Sequence, residues 1–300
     1  EARSNYKLRK DSVDWKISWA QKDLKSSGLD ESKVTPILYR PFDVRYTYFT
    51  GNSKGFHCRP RNEVMKHMHK DNKGLVIGRQ WASVGSSYYD VVLISDKIID
   101  FNLFRRGGEL IFPLYLYGDE DTEKIPNINP SIVKFLEKKY GLKISPEDIL
   151  HYIYATLHSP KYREKYEPIL KYDFPRIPFV DEHDKFKELS EIGEYLTVLH
   201  LNRTTLPVKT KFDVEGTNIV GNVKYKDKKV WINKEQYFDN VPILAWDYHI
   251  GGYNVLDHFL KDRKNKKLSN PEIEDFFQIV EIIKLTDVLM KKIDDVLGIE

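Results

Sequence analysis

Leu38-Tyr39-Arg40-Pro41-Phe42-Asp43-Val44-Arg45-Tyr46-Thr47-Tyr48-Phe49 opens the stretch that decides this chain. A Gly/Ser/Lys loop follows, Gly51-Asn52-Ser53-Lys54-Gly55, then His57-Cys58-Arg59-Pro60-Arg61. A short helical run carries Val64, Met65 and Met68, and Leu75-Val76-Ile77-Gly78-Arg79-Gln80 closes the stretch. Alternation from Ile37 to Phe49 predicts a strand or hairpin arm, and Leu75 to Arg79 a short strand. Arginines stand at strand ends and loop mouths, interleaved with aromatics. Between Arg40 and Tyr89 nine Lys and Arg face three acids, a surplus of six, whereas the whole chain carries +3. A local basic surplus on a nearly neutral chain is the electrostatic footprint of a polyanion site.

The bulk numbers fit that site into a globular protein. Three hundred residues, 41% hydrophobic and 31% charged, suffice for one large domain or two smaller ones. The 19 Tyr and 15 Phe can fill a core or offer stacking surface. The single cysteine, Cys58, makes neither an internal disulfide nor a Cys-based zinc site, which points to a reducing cytoplasm. No apolar run approaches the roughly 18 residues of a membrane span. The first residue is Glu1 and no signal peptide is visible, so the chain reads as a piece of a longer protein.

Outward from the basic window, periodicity predicts a mixed α+β fold: a β-rich part followed by a mostly helical part with a small β-hairpin. Residues 1–35 read as a connecting helix, with Val13, Ile17, Ala20 and Leu24 on one face and Gly28 as its C-cap. Residues 36–118 form the β-rich part. In it Asn62 is the expected N-cap of the short helix, and Tyr88–Ser95, Ile98–Phe104 and Leu110–Tyr117 the further strands. Arg105-Arg106-Gly107-Gly108 is the turn between the last two. Asp119 to Asn129 reads as a linker. Residues 119–210 are then helical, with starts at Ser145-Pro146 and Ser159-Pro160. The prolines of Asp173-Phe174-Pro175-Arg176-Ile177-Pro178-Phe179 force extended backbone. Residues 211–300 supply a hairpin turning at Lys226-Asp227-Lys228, two helical pieces joined at Gly251-Gly252, a basic run Lys261–Lys267 and a last helix starting at Asn270-Pro271.

Several chemistries leave no trace. The chain has no Walker-type phosphate loop, no Gly-x-Gly-x-x-Gly after a strand, no His-Glu-x-x-His and no Gly-x-Ser-x-Gly. His57, His67 and His69, with Asp71 nearby, are the closest approach to a metal group. No acid pair stands out as a general acid and base.

The basic window therefore supplies the candidate site. An Arg fork bonds bidentately to guanine and a Gln amide to adenine. This makes Arg79 with Gln80, and Arg105 with Arg106 at their Gly-Gly turn, the candidate base readers. Asn52, Ser53 and Lys54 in the flexible loop suit phosphate, and Arg59, Arg61 and Arg45 complete the set of candidate DNA-binding residues. Structural readings stand beside these. Arg40 and Arg45 flank Asp43 and can pair with it, Arg59 and Arg61 can brace a loop, and Lys261–Lys267 can be a solvated connection.

An ordered series of motifs sharpens the reading. Arg40-Pro41-Phe42-Asp43-x-Arg45-Tyr46-x-Tyr48, Arg59-Pro60-Arg61 and Asn72-Lys73-Gly74-Leu75 come first. Phe112-Pro113-Leu114-Tyr115-Leu116-Tyr117, Leu157-His158-Ser159-Pro160-x-Tyr162-Arg163 and Ile250-Gly251-Gly252-Tyr253 continue the series. From about residue 36 onward the chain resembles the C-terminal specificity domain of Type ISP restriction–modification enzymes and related adenine-specific DNA methyltransferases. The resemblance implies a module that recognises double-stranded DNA and positions a target adenine for a methyltransferase domain of the same polypeptide. It implies no cofactor in this segment. The parent would use S-adenosylmethionine and, where it carries a motor, ATP and magnesium. It marks a region for base reading, not individual contacts, and no catalytic residue of the family has a counterpart here. The alternatives are a stand-alone hydrolase or transferase on a nucleotide or small substrate, supported by the histidine group, and a scaffold domain.

Overall fold

A computed structural model describes residues 2–5, 8, 10–78, 88–105, 108–118 and 123–299. Two helices lead, α1 (Ala2–Asn5) and α2 (Ile17–Ser27). Gly28, with φ 73°, ends α2 in the left-handed region that glycine adopts without a Cβ clash. The predicted stripe is shorter at its front: Val13 lies outside the helix and is 90% exposed. The Ile17 N–H is taken by the Asp11 carboxylate at 2.9 Å, which helps to set the start of α2.

The strand or hairpin arm expected over 37–49 is folded in two: β1 (Val34–Arg40) and β2 (Asp43–Tyr48) pair antiparallel, with Phe42 at φ 61° in the turn between them. The short helix α3 (Asn62–Met65) begins one residue from where its cap was expected. Arg61, not Asn62, holds the N-cap position, at φ 51°. Next come β3 (Gly74–Gly78), β4 (Val92–Ser95), β5 (Ile98–Ile99), β6 (Glu109–Pro113), β7 (Tyr115–Tyr117) and β8 (Lys124–Pro126). These make three small sheets, ordered β2-β1-β5, β4-β3-β6 and β7-β8. Every residue of β3 and β4 is buried.

Two expectations fail here for one reason. Ile98–Phe104 pairs only through Ile98 and Ile99, parallel to β1. Asp100 then folds the chain into a turn by accepting from Asn102 N–H at 2.9 Å. The acidic linker contains β8, because Leu116 finds Ile125 across the chain. Pairing partners decide both, and partners are not local.

The helical part runs α4 (Pro130–Tyr140), α5 (Pro146–His158), α6 (Pro160–Lys165), α7 (Glu167–Leu170) and α8 (His183–His200). Ser145 and Asp148 cap α5 reciprocally, each side chain taking the other's N–H at 3.0 Å. A Cβ built on Gly193 would sit 1.9 Å from the His151 carbonyl oxygen, so α5 and α8 meet backbone to backbone. The remainder is β9 (Lys224–Lys226), β10 (Lys229–Trp231), β11 (Tyr237–Phe238), α9 (Ile243–Trp246), β12 (His249–Ile250), β13 (Tyr253–Asn254), α10 (Val255–Lys261) and α11 (Asn270–Leu297). Asp227 and Lys228, both at positive φ, make the two-residue turn of the β9–β10 hairpin. Gly251–Gly252 is a hairpin corner rather than a helix–helix joint. It is pressed against Phe104, whose carbonyl accepts from Gly252 N–H at 3.1 Å.

One continuous cluster of buried apolar side chains runs from Ile37 to Leu297, so the β-rich and helical parts share a core. A polar thread crosses it. Thr286 gives its hydroxyl proton to the Ile282 carbonyl and so accepts from His200 Nε2 at 2.9 Å. His200 Nδ1 is then left to accept from the Tyr154 hydroxyl. That tautomer is neutral. Burial, with the positive charge of Arg163, pushes His200 down to about 3.

Candidate nucleic-acid interface

The segment between β2 and α3 is built around one carboxylate. Asp23 sits on the inner face of α2, three residues after buried Ala20, and is itself 5% exposed. It accepts from Thr50 Oγ1 at 2.7 Å, Asn52 Nδ2 at 2.8 Å and Phe56 N–H at 3.0 Å. Burial pushes its pKa up, but the bonds from Asn52, Thr50 and Phe56 outweigh this and leave it below the ordinary carboxylate value. A Cβ on Gly55 would lie 2.0 Å from Asp23 Oδ2, which is why glycine stands there. The loop closes on itself as Lys54 N–H donates to Cys58 O and Gly55 N–H to His57 O.

The expected contact residues divide accordingly. Asn52 is committed to Asp23. Ser53, Arg59 and Arg61 come together, with Gly51, Asn62 and Glu63, around an open hollow of about 330 Å³. Lys54, Arg59 and Arg61 are exposed, and among the described residues none has a carboxylate partner. Lys54 and Arg61 hold φ near +55° and +51°. A left-handed backbone costs a bulky residue about 1–2 kcal/mol, and such strain concentrates where a side chain must be aimed. Arg105, exposed at φ 77°, is a third cation of this kind.

Arg79, Gln80 and Arg106 lie outside the described residues. Gly78, the last residue of β3, and Glu109, the first of β6, are cross-strand partners at one end of the β4-β3-β6 sheet. α3 packs on β6, which brings the loop's downstream anchor to the same sheet. Glu109 there has both carboxyl oxygens buried, with no group in hydrogen-bonding geometry among the described residues. Burial pushes it up to about 7, held back only in part by nearby backbone N–H groups of residues 109, 103 and 104.

Arg45 points elsewhere. Its Nη2 donates to Asp43 Oδ2 at 2.7 Å and lies 3.3 Å from Asp262. Arg263, from the basic run read as a solvated connection, is 8% exposed. It reaches both oxygens of Asp43, at 3.0 and 3.3 Å, and Glu272 at 2.8 Å. The electrostatic structural reading of Arg45 is therefore the one the geometry displays, though with Arg263 as the larger partner. Arg40 turns to Asp100 at 2.7 Å rather than to Asp43.

The histidine group does not assemble a metal site, and no cluster of three metal-ligating side chains exists among the described residues. His57 Nε2 bonds Thr47 Oγ1 at 2.9 Å, His67 Nδ1 accepts from Tyr117 N–H, and His57 and His69 both flank the Phe49 ring. No described helix is long and apolar enough to cross a membrane.

Sequence reading missed Asp23 and Arg263. For Asp23 a signal existed: an acid on the apolar side of an amphipathic helix. For Arg263 the surrounding lysines concealed it.

A family model described as the Type ISP C-terminal specificity domain matches residues 1–292. Solved structures share the fold. An ATP-dependent Type ISP restriction–modification enzyme, LlaBIII, bound to DNA superposes with a TM-score of 0.72 at 22% identity over 93% of this chain. The DrdV–DNA complex gives 0.76 at 24% over 90%, and a nuclease-deletion mutant of the Type ISP enzyme LlaGI with a DNA substrate mimic 0.68 at 22% over 89%. The chain spans 20%, 29% and 25% of those three chains respectively. No curated protein matches it.

Proposed function

Because the chain belongs to the Type ISP C-terminal specificity domain family, we propose that it recognises a short sequence in double-stranded DNA on behalf of an adenine methyltransferase domain of the same polypeptide. The observation that carries the reading is the loop held by Asp23. It presents Lys54, Arg59 and Arg61 outward, without carboxylate partners among the described residues, two of them on left-handed backbone. Cations so placed meet the phosphate backbone and set register, and phosphate contacts carry no sequence information. Base reading falls to Arg105 and to Arg79, Gln80 and Arg106, which in sequence follow β3 and precede β6, strands paired at Gly78 and Glu109. A rigid platform suits this task, since an Arg fork discriminates guanine only while its approach to the base edge is fixed. That the three similar structures hold DNA supports the same reading.

The chemistry belongs to the rest of the polypeptide. Reading the site would place the target adenine beneath the methyltransferase, which takes the base out of the stack before methyl transfer. S-adenosylmethionine would bind there, as would ATP and magnesium in a motor. No residue of this chain is assigned to any of them. A cytoplasmic setting follows from such a role.

The test is a titration of the protein with mixed-sequence duplex at several salt concentrations. Each phosphate contact contributes about 0.9 to the slope of log K against log salt. Arg59→Ala with Arg61→Ala should lower that slope by about 2. A wild-type protein that does not bind at low salt, or binds with a flat response, would overturn the reading.

A further inference from the structure

The helix read from sequence as a mere connector makes the contact that fixes the loop. We propose that Asp23 of α2 is a positioning residue for DNA binding: its carboxylate holds the 50–61 loop so that Lys54, Arg59 and Arg61 face one phosphate track. The proposal rests on the DNA-binding reading above and adds a residue that would touch no DNA.

Four observations carry it. The carboxylate is buried and takes three hydrogen bonds, all from the loop: Thr50, Asn52 and Phe56. Gly55 is in backbone contact with it, so the loop is seated on Asp23 rather than merely near it. The loop offers no apolar residue to α2 large enough to replace these bonds except Phe56, and the Phe56 ring packs, tilted, against Tyr48 at 4.9 Å. Finally, Lys54 and Arg61 pay for left-handed backbone, a conformation that persists only where the surroundings over-determine it. Removing Asp23 removes that over-determination. The three cations then regain freedom, and counterion release on binding falls because they no longer meet phosphates together.

The arrangement also gives α2 a mechanical role. α2 lies at the N-terminal side of this module, and its end is tied to the hairpin by Tyr48, whose hydroxyl donates to the Gly28 carbonyl at 2.8 Å. A shift of α2 relative to β2 would therefore move the phosphate-contacting loop.

The experiment uses Asp23→Ala in the full-length polypeptide, with mixed-sequence duplex as probe. The slope of log K against log salt should drop by about 2–3, the contribution of three phosphate contacts. Backbone amide exchange across residues 50–58 should accelerate in the absence of DNA, beginning with the Phe56 amide. A structural role alone would lower the unfolding midpoint and the fraction of active protein, but would leave the slope of the folded fraction unchanged. Should Asp23→Ala fail to fold, Thr50→Val with Asn52→Ala removes two of the three bonds from the loop side and carries the same expectation. A wild-type slope retained in these variants, with unchanged amide exchange, overturns the proposal. A flat wild-type slope overturns instead the DNA-binding reading on which it rests.

Discussion

Arg263→Met tests how the β-rich part is fastened to the C-terminal helices. Arg263 lies between α10 and α11. Its Nη2 and Nη1 reach Asp43 at 3.0 and 3.3 Å, its Nη1 the Phe259 carbonyl at 2.9 Å and its Nε Glu272 at 2.8 Å. The guanidinium also stacks 3.7 Å above the Phe259 ring. Asp43, in β2, is 2% exposed. Breaking a buried ion pair from one side costs about 3–5 kcal/mol, because the remaining charge stays desolvated. Arg45 remains beside Asp43 at 2.7 Å, so the low end, about 3 kcal/mol, is expected. Methionine keeps most of the packing on Phe259, which separates the loss of charge from the loss of volume. The assay is urea unfolding of wild type, Arg263→Met, Asp43→Leu and the double variant. The double variant should be more stable than the sum of the single losses requires, by at least about 1 kcal/mol, because neither charge is then stranded. A cost below about 1 kcal/mol for Arg263→Met would show that Arg45 alone neutralises Asp43 and would refute the reasoning. The pH dependence gives an independent check. Burial raises the Asp43 pKa, but the bonds and charges of Arg263 and Arg45 outweigh it and leave it lowered. The stability it contributes is therefore present above the ordinary value of 3.8 and lost as pH falls through the lower folded value.

Other outcomes follow from single residues. Glu109, pushed up to about 7 from 4.5, opposes folding once it ionises. Glu109→Gln should thus be more stable than wild type at pH 8, by on the order of 3 kcal/mol, with the gain vanishing near pH 4.5 in thermal melts. His200, pushed down to about 3, has the opposite sign. The unfolded chain binds its proton near 6.5, so stability is full above that pH, and cooling-free urea titrations should show a loss of about 2 kcal/mol between pH 7 and pH 5 that His200→Gln lacks. Arg105→Ala should leave the salt slope within about one contact while relaxing discrimination at one base pair by about 1–3 kcal/mol, measured by competition among single-substituted duplexes. Gly193→Ala places a methyl carbon 1.9 Å from the His151 carbonyl, so α5 and α8 must separate. Expression of soluble protein should fall sharply, and an unchanged melting temperature would contradict the packing.

Sequence carried the helices because their signals are local. Ser145-Pro146 with Asp148 and Ser159-Pro160 cap their helices through atoms three residues apart, Gly28 ends α2 with its own backbone, and Asn270-Pro271 opens the last helix, whose cap the structure places on Ser269. The β9–β10 hairpin was legible for the same reason, since its turn is two residues long, whereas the alternation over 37–49 gave the extended backbone of β1 and β2 but not the turn at Pro41–Phe42 that pairs them. The basic surplus that marked the candidate interface needed only counting.

What sequence could not hold was partnership. Whether Ile98 pairs with Ile37, whether Ile125 finds Leu116, and whether an arginine faces solvent or an acid more than two hundred residues away depend on contacts that form only when the chain closes. Arg45, Arg59 and Arg263 look alike in a list of letters. The folded chain buries Arg263 against Asp43, ties Arg45 to the same carboxylate and leaves Arg59 exposed, because a buried guanidinium must find acceptors that replace the water it loses.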